Sequence, residues 1–362
     1  MTQPYVVIMA GGRGERFWPH SRIRRPKHLL PIVGESPMLA QTVARLEGLV
    51  PPERVFVVTN HEQREATLDA CPELLPEQVV GEPVGRDTAA AVGLAALLVK
   101  RKSPDAPFAM LPADHVIDDA TGFRDVLRSA MSAAAEEEIL VTIGVQPTEP
   151  ATGYGYVQRG GIKMAADNRQ VHDVSRFVEK PDLETAKGYL ESGDYFWNAG
   201  MFVWRPEVIL NALATHASDL HQHLSVLEER WRDGQSLDSC MQTIYPDLPR
   251  ISIDYAVMEK ADNVVMMESD FDWDDVGEWP AVTRHFPEDE AGNVTRGEVV
   301  ALDASDNLVI SSKGRLTALL GVNDLIVVET EDATLICHRD KAQEVKRLAQ
   351  EIAQREDGEN WV

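Results

Sequence analysis

The stretch 5-YVVIMAGGRGERFWPHSRIRRPKHLLPI-32 decides the fold: an apolar, β-branched run from Tyr5 to Ala10 breaks into Gly11, Gly12 and Gly14 and then into a basic loop. Such a run is expected of a strand buried on both faces of a parallel sheet. The glycines free the backbone for positive φ. Amides from Ala10 through Gly11, Gly12 and Gly14 can then converge on phosphate oxygens, where a side chain would block the approach. Arg13, Arg16, Arg22, Arg24, Arg25 and Lys27 crowd the same loop, although the chain as a whole is acidic. A polyphosphate ligand accounts for this local excess of cation, and a tight turn with solvated arginines is the alternative. The loop lacks a Gly-Lys pair, so it is not a Walker loop. Phe17 occupies the third glycine position of the dinucleotide fingerprint and Pro19 falls where its helix should run, which argues against a Rossmann cofactor loop.

With 362 residues, 44% of them hydrophobic, the chain can bury a large core and is long enough for two or three domains. Its net charge of −24 opposes a nucleic-acid or anionic-membrane surface. Cys71, Cys240 and Cys337 are far apart and odd in number, which implies three buried reduced thiols rather than a disulfide framework or a zinc site. There is no basic-then-apolar leader and no run of membrane-spanning length, so the cytoplasm is the expected location.

Beyond the opening loop, periodicity predicts a helix over 37–49, a strand over 54–59, a helix over 61–70 and a strand over 77–81, the alternation of parallel βαβ units. Asp87 or Thr88 can cap the small-residue helix that follows. The strand over 107–111 runs into PADHVI and leaves Asp114 at a C-terminal strand edge, as a metal-ligand candidate or an Asx turn. The segments TGYGYVQRG and HDVSRFVEKP read as antiparallel strands that leave the core, forming a lid over about 146–205. ISIDYAVMEK reads as helical, and FDWDDVGEW gathers Asp272, Asp274 and Asp275 with Trp273 and Trp279. After Asn293, short β-branched runs resemble the rungs of a small β-coil, closed by an amphipathic helix over 341–352. The expected fold is α/β, a doubly wound mixed sheet over 1–287 with a β-coil over 293–362.

Eight motifs, AGGRGERFWPHSRIRRPKHLL, EPVGRDTAAA, LPADHVI, GYGYV, FVEKP, WNAGMFVW, IDYAVMEK and WDDVGEW, occur in an order that resembles the sugar-nucleotidyltransferases, and within them the mannose-1-phosphate guanylyltransferases. The resemblance spans nearly the whole chain. It implies a Rossmann-like core that transfers GMP from GTP to mannose 1-phosphate, giving GDP-mannose and pyrophosphate. It makes Arg16 and Lys27 catalytic and assigns the nucleotide to the glycine loop with Glu82, Asp87 and Thr88. Glu82 suits guanine because N1–H and N2–H₂ are donors and a carboxylate accepts. Asp114 and Asp275 would hold Mg²⁺ or Mn²⁺, with Asp275 preferred to Asp274 by its place in D-V-G. Gly153, Tyr154, Glu179, Lys180 and Asn198 would bind the sugar. Asp87 stands where the family usually has Asn, which leaves open an Arg86–Asp87 pair that only shapes the loop. Relatives with another base or sugar, such as GDP-heptose or UDP- and dTDP-glucose pyrophosphorylases, share the pattern. A non-catalytic regulatory subunit is opposed by the presence of Arg16, Lys27, Asp114 and Asp275. Bifunctional members add an isomerase domain, so no isomerase activity is expected of a chain that stops after the coil. The coil is expected to pack on the core or on a second subunit, as in a homodimer.

Overall fold

The computed structural model describes Thr2–Val362. Its contacts form two compact units: residues up to Gly11 with Thr42–Ala113 and Ile117–Trp273, and Gly12–Gln41 with Asp114–Val116 and Asp274–Val362. The contacts thus group the basic loop and the segment from Asp274 onward with the C-terminal coil.

The first unit is built on a nine-stranded sheet of β1 (Tyr5–Ala10), β2 (Val55–Asn60), β3 (Val79–Glu82), β4 (Phe108–Pro112), β5 (Leu140–Val145), β6 (Tyr156–Ala166), β7 (Arg169–Val178), β8 (Tyr195–Trp204) and β9 (Val264–Glu268). Their spatial order is β3-β2-β1-β4-β8-β5-β9-β7-β6. The first four are parallel, β8 runs antiparallel between β4 and β5, and the β6–β7 hairpin closes the far edge. The helix Asp87–Lys102 is buried continuously from Ala89 to Val99. Its small residues permit close packing: a Cβ on Gly93 would lie 2.3 Å from Leu224 Cδ1.

The lid expected over 146–205 is not a separate layer. Its strands belong to the main sheet, and β8 lies near the middle, buried on both faces through Phe196, Trp197, Met201, Phe202 and Trp204. A strand's own alternation carries no record of which strand it pairs with, so an internal strand and a lid strand look alike in sequence. ISIDYAVMEK is helical through its middle, as a π-helical turn over Asp254–Met258 rather than an α-helix. Cys71 and Cys240 are buried as expected, whereas Cys337 is only partly so; all three are free thiols.

Chain order reverses beside β1. The path runs outward through β2 and β3 and then returns to the opposite side of β1 as β4. Open α/β sheets bind ligands at the carboxyl ends of strands flanking such a switch. Met9 and Pro112 are in register, so the glycine loop and the Asp114 loop leave the sheet from neighbouring strand ends.

In the second unit, β10 (Val294–Arg296), β12 (Leu308–Ile310) and β14 (Leu325–Glu329) stack in parallel, with β15 (Thr334–His338) antiparallel to β14. β11 (Glu298–Leu302) pairs in parallel with β13 (Leu316–Leu320). These are the rungs of the coil. Two buried asparagines tie its turns together: Asn307 Nδ2 donates to Asn293 Oδ1 at 2.8 Å, and Asn307 Oδ1 accepts the Leu325 amide at 2.9 Å. The core of this unit joins Phe17, Trp18, Leu30 and Ile32 to Trp279, Val294, Leu308, Ile326 and Leu335. The basic loop is therefore anchored by the coil. The closing helix spans Val345–Ala353, after a tighter turn over Arg339–Glu344. Among the described residues no helix is long and apolar enough to cross a membrane.

Candidate active site

In the second unit the site is centred on the buried Lys27 ammonium. It donates to the Asp114 carbonyl at 3.0 Å, to Asp114 Oδ2 at 2.9 Å and to the Asp275 carbonyl at 2.7 Å, and it lies 5.5 Å from the centre of the Phe17 ring. One cation thus joins the loop after β4 to the WDDVGEW loop. Gly14 makes the arrangement possible. Its φ is +62°, and a Cβ there would stand 2.5 Å from Lys27 Cβ. Gly14 therefore serves close packing as well as backbone freedom, while its carbonyl accepts from the Phe17 amide and the Ser21 hydroxyl. The Asp114 side chain keeps 36% of its surface exposed. Burial of its charge works against ionisation, but Lys27, helped by His115 and His28, holds the carboxyl down at about 2. Burial also lowers His28, to about 4, so near neutral pH its ring is uncharged beside Lys27 and it aids Asp114 only where acid protonates it.

The two neighbouring aspartates have separate tasks. Asp274 exchanges backbone hydrogen bonds with Val116 and is gripped by Arg284 at 2.8 and 2.7 Å, by His285 at 2.9 Å and by the Val276 amide at 2.8 Å. Its carboxylate is consumed in holding the loop. Asp275 folds back to accept the Gly277 amide at 3.1 Å, across Val276, whose φ of +42° is strained for a β-branched residue. Among the described residues no set of three His, Cys, Asp or Glu forms a ready metal cage. Two carboxylates fit a hard ion such as Mg²⁺ or Mn²⁺ that keeps waters and takes its remaining oxygens from substrate phosphates. The loop cations diverge: Arg16 is exposed and acts electrostatically on Glu278, whose carboxyl burial raises, whereas Arg22 pairs with Asp332 at 2.9 Å.

In the first unit, Glu82 ends β3 and is almost wholly buried, with Tyr245 donating its hydroxyl to Oε1. Burial raises its carboxyl to about 7, Tyr245 pulling down and Asp87 pushing up. Gly11 faces its other oxygen, since a Cβ there would stand 3.3 Å from Oε2; Ala10 and Gly11 turn their carbonyls to Thr59 and Asn60. Asp87 has φ +67° and accepts the Thr88 amide. Arg86 Nε is buried without a hydrogen-bond partner among the described residues. The Thr88 hydroxyl accepts the Ile253 amide at 2.8 Å, so it ties the helix start to the IDYAVMEK segment.

The residues assigned to the sugar also meet in this unit. Glu179 Oε1 pairs with Lys180, and a Cβ on Gly155 would fall 2.5 Å from Glu179 Oε2. Tyr154 sets its ring against Trp197 and Trp273, with centres 5.0 and 5.3 Å away, while Gly153 is exposed. Asn198 is more constrained than an amide left free to donate to and accept from sugar hydroxyls. Its Oδ1 accepts from Thr142 at 3.0 Å and from the Gly200 amide at 3.1 Å, and Nδ2 donates to Asp254 Oδ1 at 3.0 Å. Asp254 was not singled out from sequence. Burial, reinforced by Glu179, raises its carboxyl to about 6. The available signal was its place in the IDYAVMEK motif; the structure sets it on a π turn, a geometry frequent at functional sites.

The chain matches the family model described as nucleotidyl transferase over residues 5–292 and the MannoseP isomerase/GMP-like beta-helix domain over 297–352. A mannose-1-phosphate guanylyltransferase of Klebsiella pneumoniae is 40% identical over 98% of this chain and 74% of its own length. One from Salmonella typhimurium is 40% identical over 97% and 73%. A solved Thermus thermophilus structure, described as a mannose-1-phosphate geranyltransferase, superposes with a TM-score of 0.86 at 37% identity, covering 97% of this chain and 99% of that one. The chain belongs to the nucleotidyl transferase family, and within it to the mannose-1-phosphate guanylyltransferases.

Proposed function

We propose that the chain transfers GMP from GTP to mannose 1-phosphate, forming GDP-mannose and releasing pyrophosphate. The observation that carries the reading is the buried Lys27 ammonium joining Asp114 to Asp275, in a chain whose relatives are named for this reaction. A phosphate oxygen of mannose 1-phosphate attacks the α-phosphorus of GTP. The new O–P bond forms as the bond to the β-phosphate breaks, and the leaving pyrophosphate takes the electron pair. No side-chain nucleophile is required, so the protein's work is alignment and neutralisation of charge.

Asp114, kept ionised by Lys27, and Asp275 are the residues to hold Mg²⁺ or Mn²⁺. The bound ion would neutralise phosphate oxygens as charge moves to the leaving group. Lys27 fixes the acidic pair and adds positive charge where the phosphates gather, and exposed Arg16 grips the β- and γ-phosphates. Glu82 accepts from guanine N1–H and N2–H₂. Glu179 and Asp254 accept from mannose hydroxyls, while Lys180 meets the sugar phosphate as a point charge. A cytoplasmic location belongs to the same proposal; among the described residues no helix is long and apolar enough to cross a membrane.

The test is pyrophosphate release in Mg²⁺ with a panel of nucleoside triphosphates and sugar 1-phosphates. GTP with mannose 1-phosphate is expected to give the highest kcat/KM. Preference for another triphosphate overturns the guanine assignment, preference for another sugar phosphate overturns mannose, and no release from any pair overturns the enzymatic reading.

A further inference from the structure

The Tyr245–Glu82 pair is not explained by packing alone. Tyr245 begins a short turn, Tyr245–Asp247, after the helix Leu237–Ile244, and its side chain is fully buried. Its hydroxyl spends its one proton on Glu82 Oε1, 163 residues away in sequence. A tyrosine serving only as core could be a phenylalanine. Glu82 is itself 5% exposed, and its other oxygen faces the backbone at Gly11, where β1 ends. A carboxylate in so dry a position tends to pick up a proton, and donation from a neighbour favours the anion.

We propose that Tyr245 is a specificity-determining positioning residue: it holds Glu82 in the acceptor form and in one orientation, so that the site takes a purine presenting donors at N1 and N2 and rejects one presenting an acceptor at N1. This rests on the assignment of guanine recognition to Glu82. The chemistry is asymmetric. Ionised Glu82 accepts from both guanine donors but sets negative charge against the N1 lone pair of adenine. Protonated Glu82 instead donates to adenine N1 and loses an acceptor for guanine. Control of the Glu82 proton is therefore control of base choice. The groups bearing on that proton are Tyr245, which favours the anion, and Asp87, which opposes it, while His61 lies against neighbouring Gly81. The tyrosine itself stays protonated, because burial and the Glu82 charge push its own ionisation well above the usual phenol range.

The experiment compares kcat/KM for GTP, ITP and ATP from pH 6 to 9 in the full chain and in Tyr245→Phe and Glu82→Gln. Tyr245→Phe should lower kcat/KM for GTP about 10- to 100-fold near pH 7 and narrow the GTP/ATP ratio. It should also move the acid limb to higher pH, so that GTP efficiency recovers toward pH 9. Recovery with pH is what lost packing would not produce. A Tyr245→Phe profile parallel to that of the unaltered chain, with the GTP/ATP ratio kept, overturns the proposal while Glu82→Gln still changes base preference. If Glu82→Gln leaves the GTP/ITP/ATP order intact, the assignment of Glu82 to the base falls and the proposal falls with it.

Discussion

Asp114 in the second unit and Glu82 and Asp254 in the first are carboxylates driven in opposite directions. In the second unit Asp114 is held at about 2 by the Lys27 ammonium in contact with it. In the first, Glu82 and Asp254 are pushed up to about 7 and about 6 because burial outweighs the partners they have. The partners explain the contrast: a full cation in one case, and a phenol or an amide in the other two. A charge-assisted bond overcomes desolvation, whereas a neutral donor only moderates it. The functional division follows. A permanently ionised carboxylate suits a hard cation, while carboxylates poised near neutrality suit recognition of neutral hydroxyls and ring N–H groups.

The largest test of this contrast removes the cation. Lys27→Ala should lower turnover by roughly 10²–10³-fold, because Asp114 and Asp275 lose their common donor; near-normal steady-state turnover would detach Lys27 from the chemistry. The opposite side is sharpened by Asp254→Asn, which keeps an acceptor for Asn198 but discards the charge. Its KM for mannose 1-phosphate should rise about tenfold, with little change in KM for GTP. An equal rise for both substrates would contradict a sugar-side role. The smallest effect is expected from Gly14→Ala, measured by chemical denaturation. The positive φ and the close contact with Lys27 predict a loss of roughly 1–3 kcal/mol. Gly12→Ala should be nearly neutral, since a Cβ there meets nothing within 4 Å.

What could be read in the sequence follows from how local each feature is. β1, the glycine loop and Asp114 are signalled by adjacent residues: an apolar run, glycines, and an aspartate just past a strand. The order of motifs supplied the family. The Glu82–Tyr245 bond joins residues 163 apart, and nothing in either neighbourhood announces it. Asp254 was hidden in a segment whose apolar spacing reads as an ordinary helix, whereas it forms a π-helical turn. The placement of β8 in a lid failed for the same reason, since pairing with β4 and β5 is a property of the whole sheet. Asn198 is assigned to the sugar by the resemblance, but three specific partners fix its amide, and those could not be inferred from its immediate sequence.

The second unit has a consequence for how the chain is made. Phe17, Trp18, Leu30 and Ile32 find their packing partners among residues from Val276 onward, and Lys27 meets the Asp275 carbonyl across 248 positions. During synthesis at about 5–20 residues per second, the glycine loop must remain without these partners for on the order of ten seconds or more after it is made. A segment synthesised near the start is thus among the last to be secured. Its glycines, prolines and arginines give it little tendency to pair as an exposed strand while it waits.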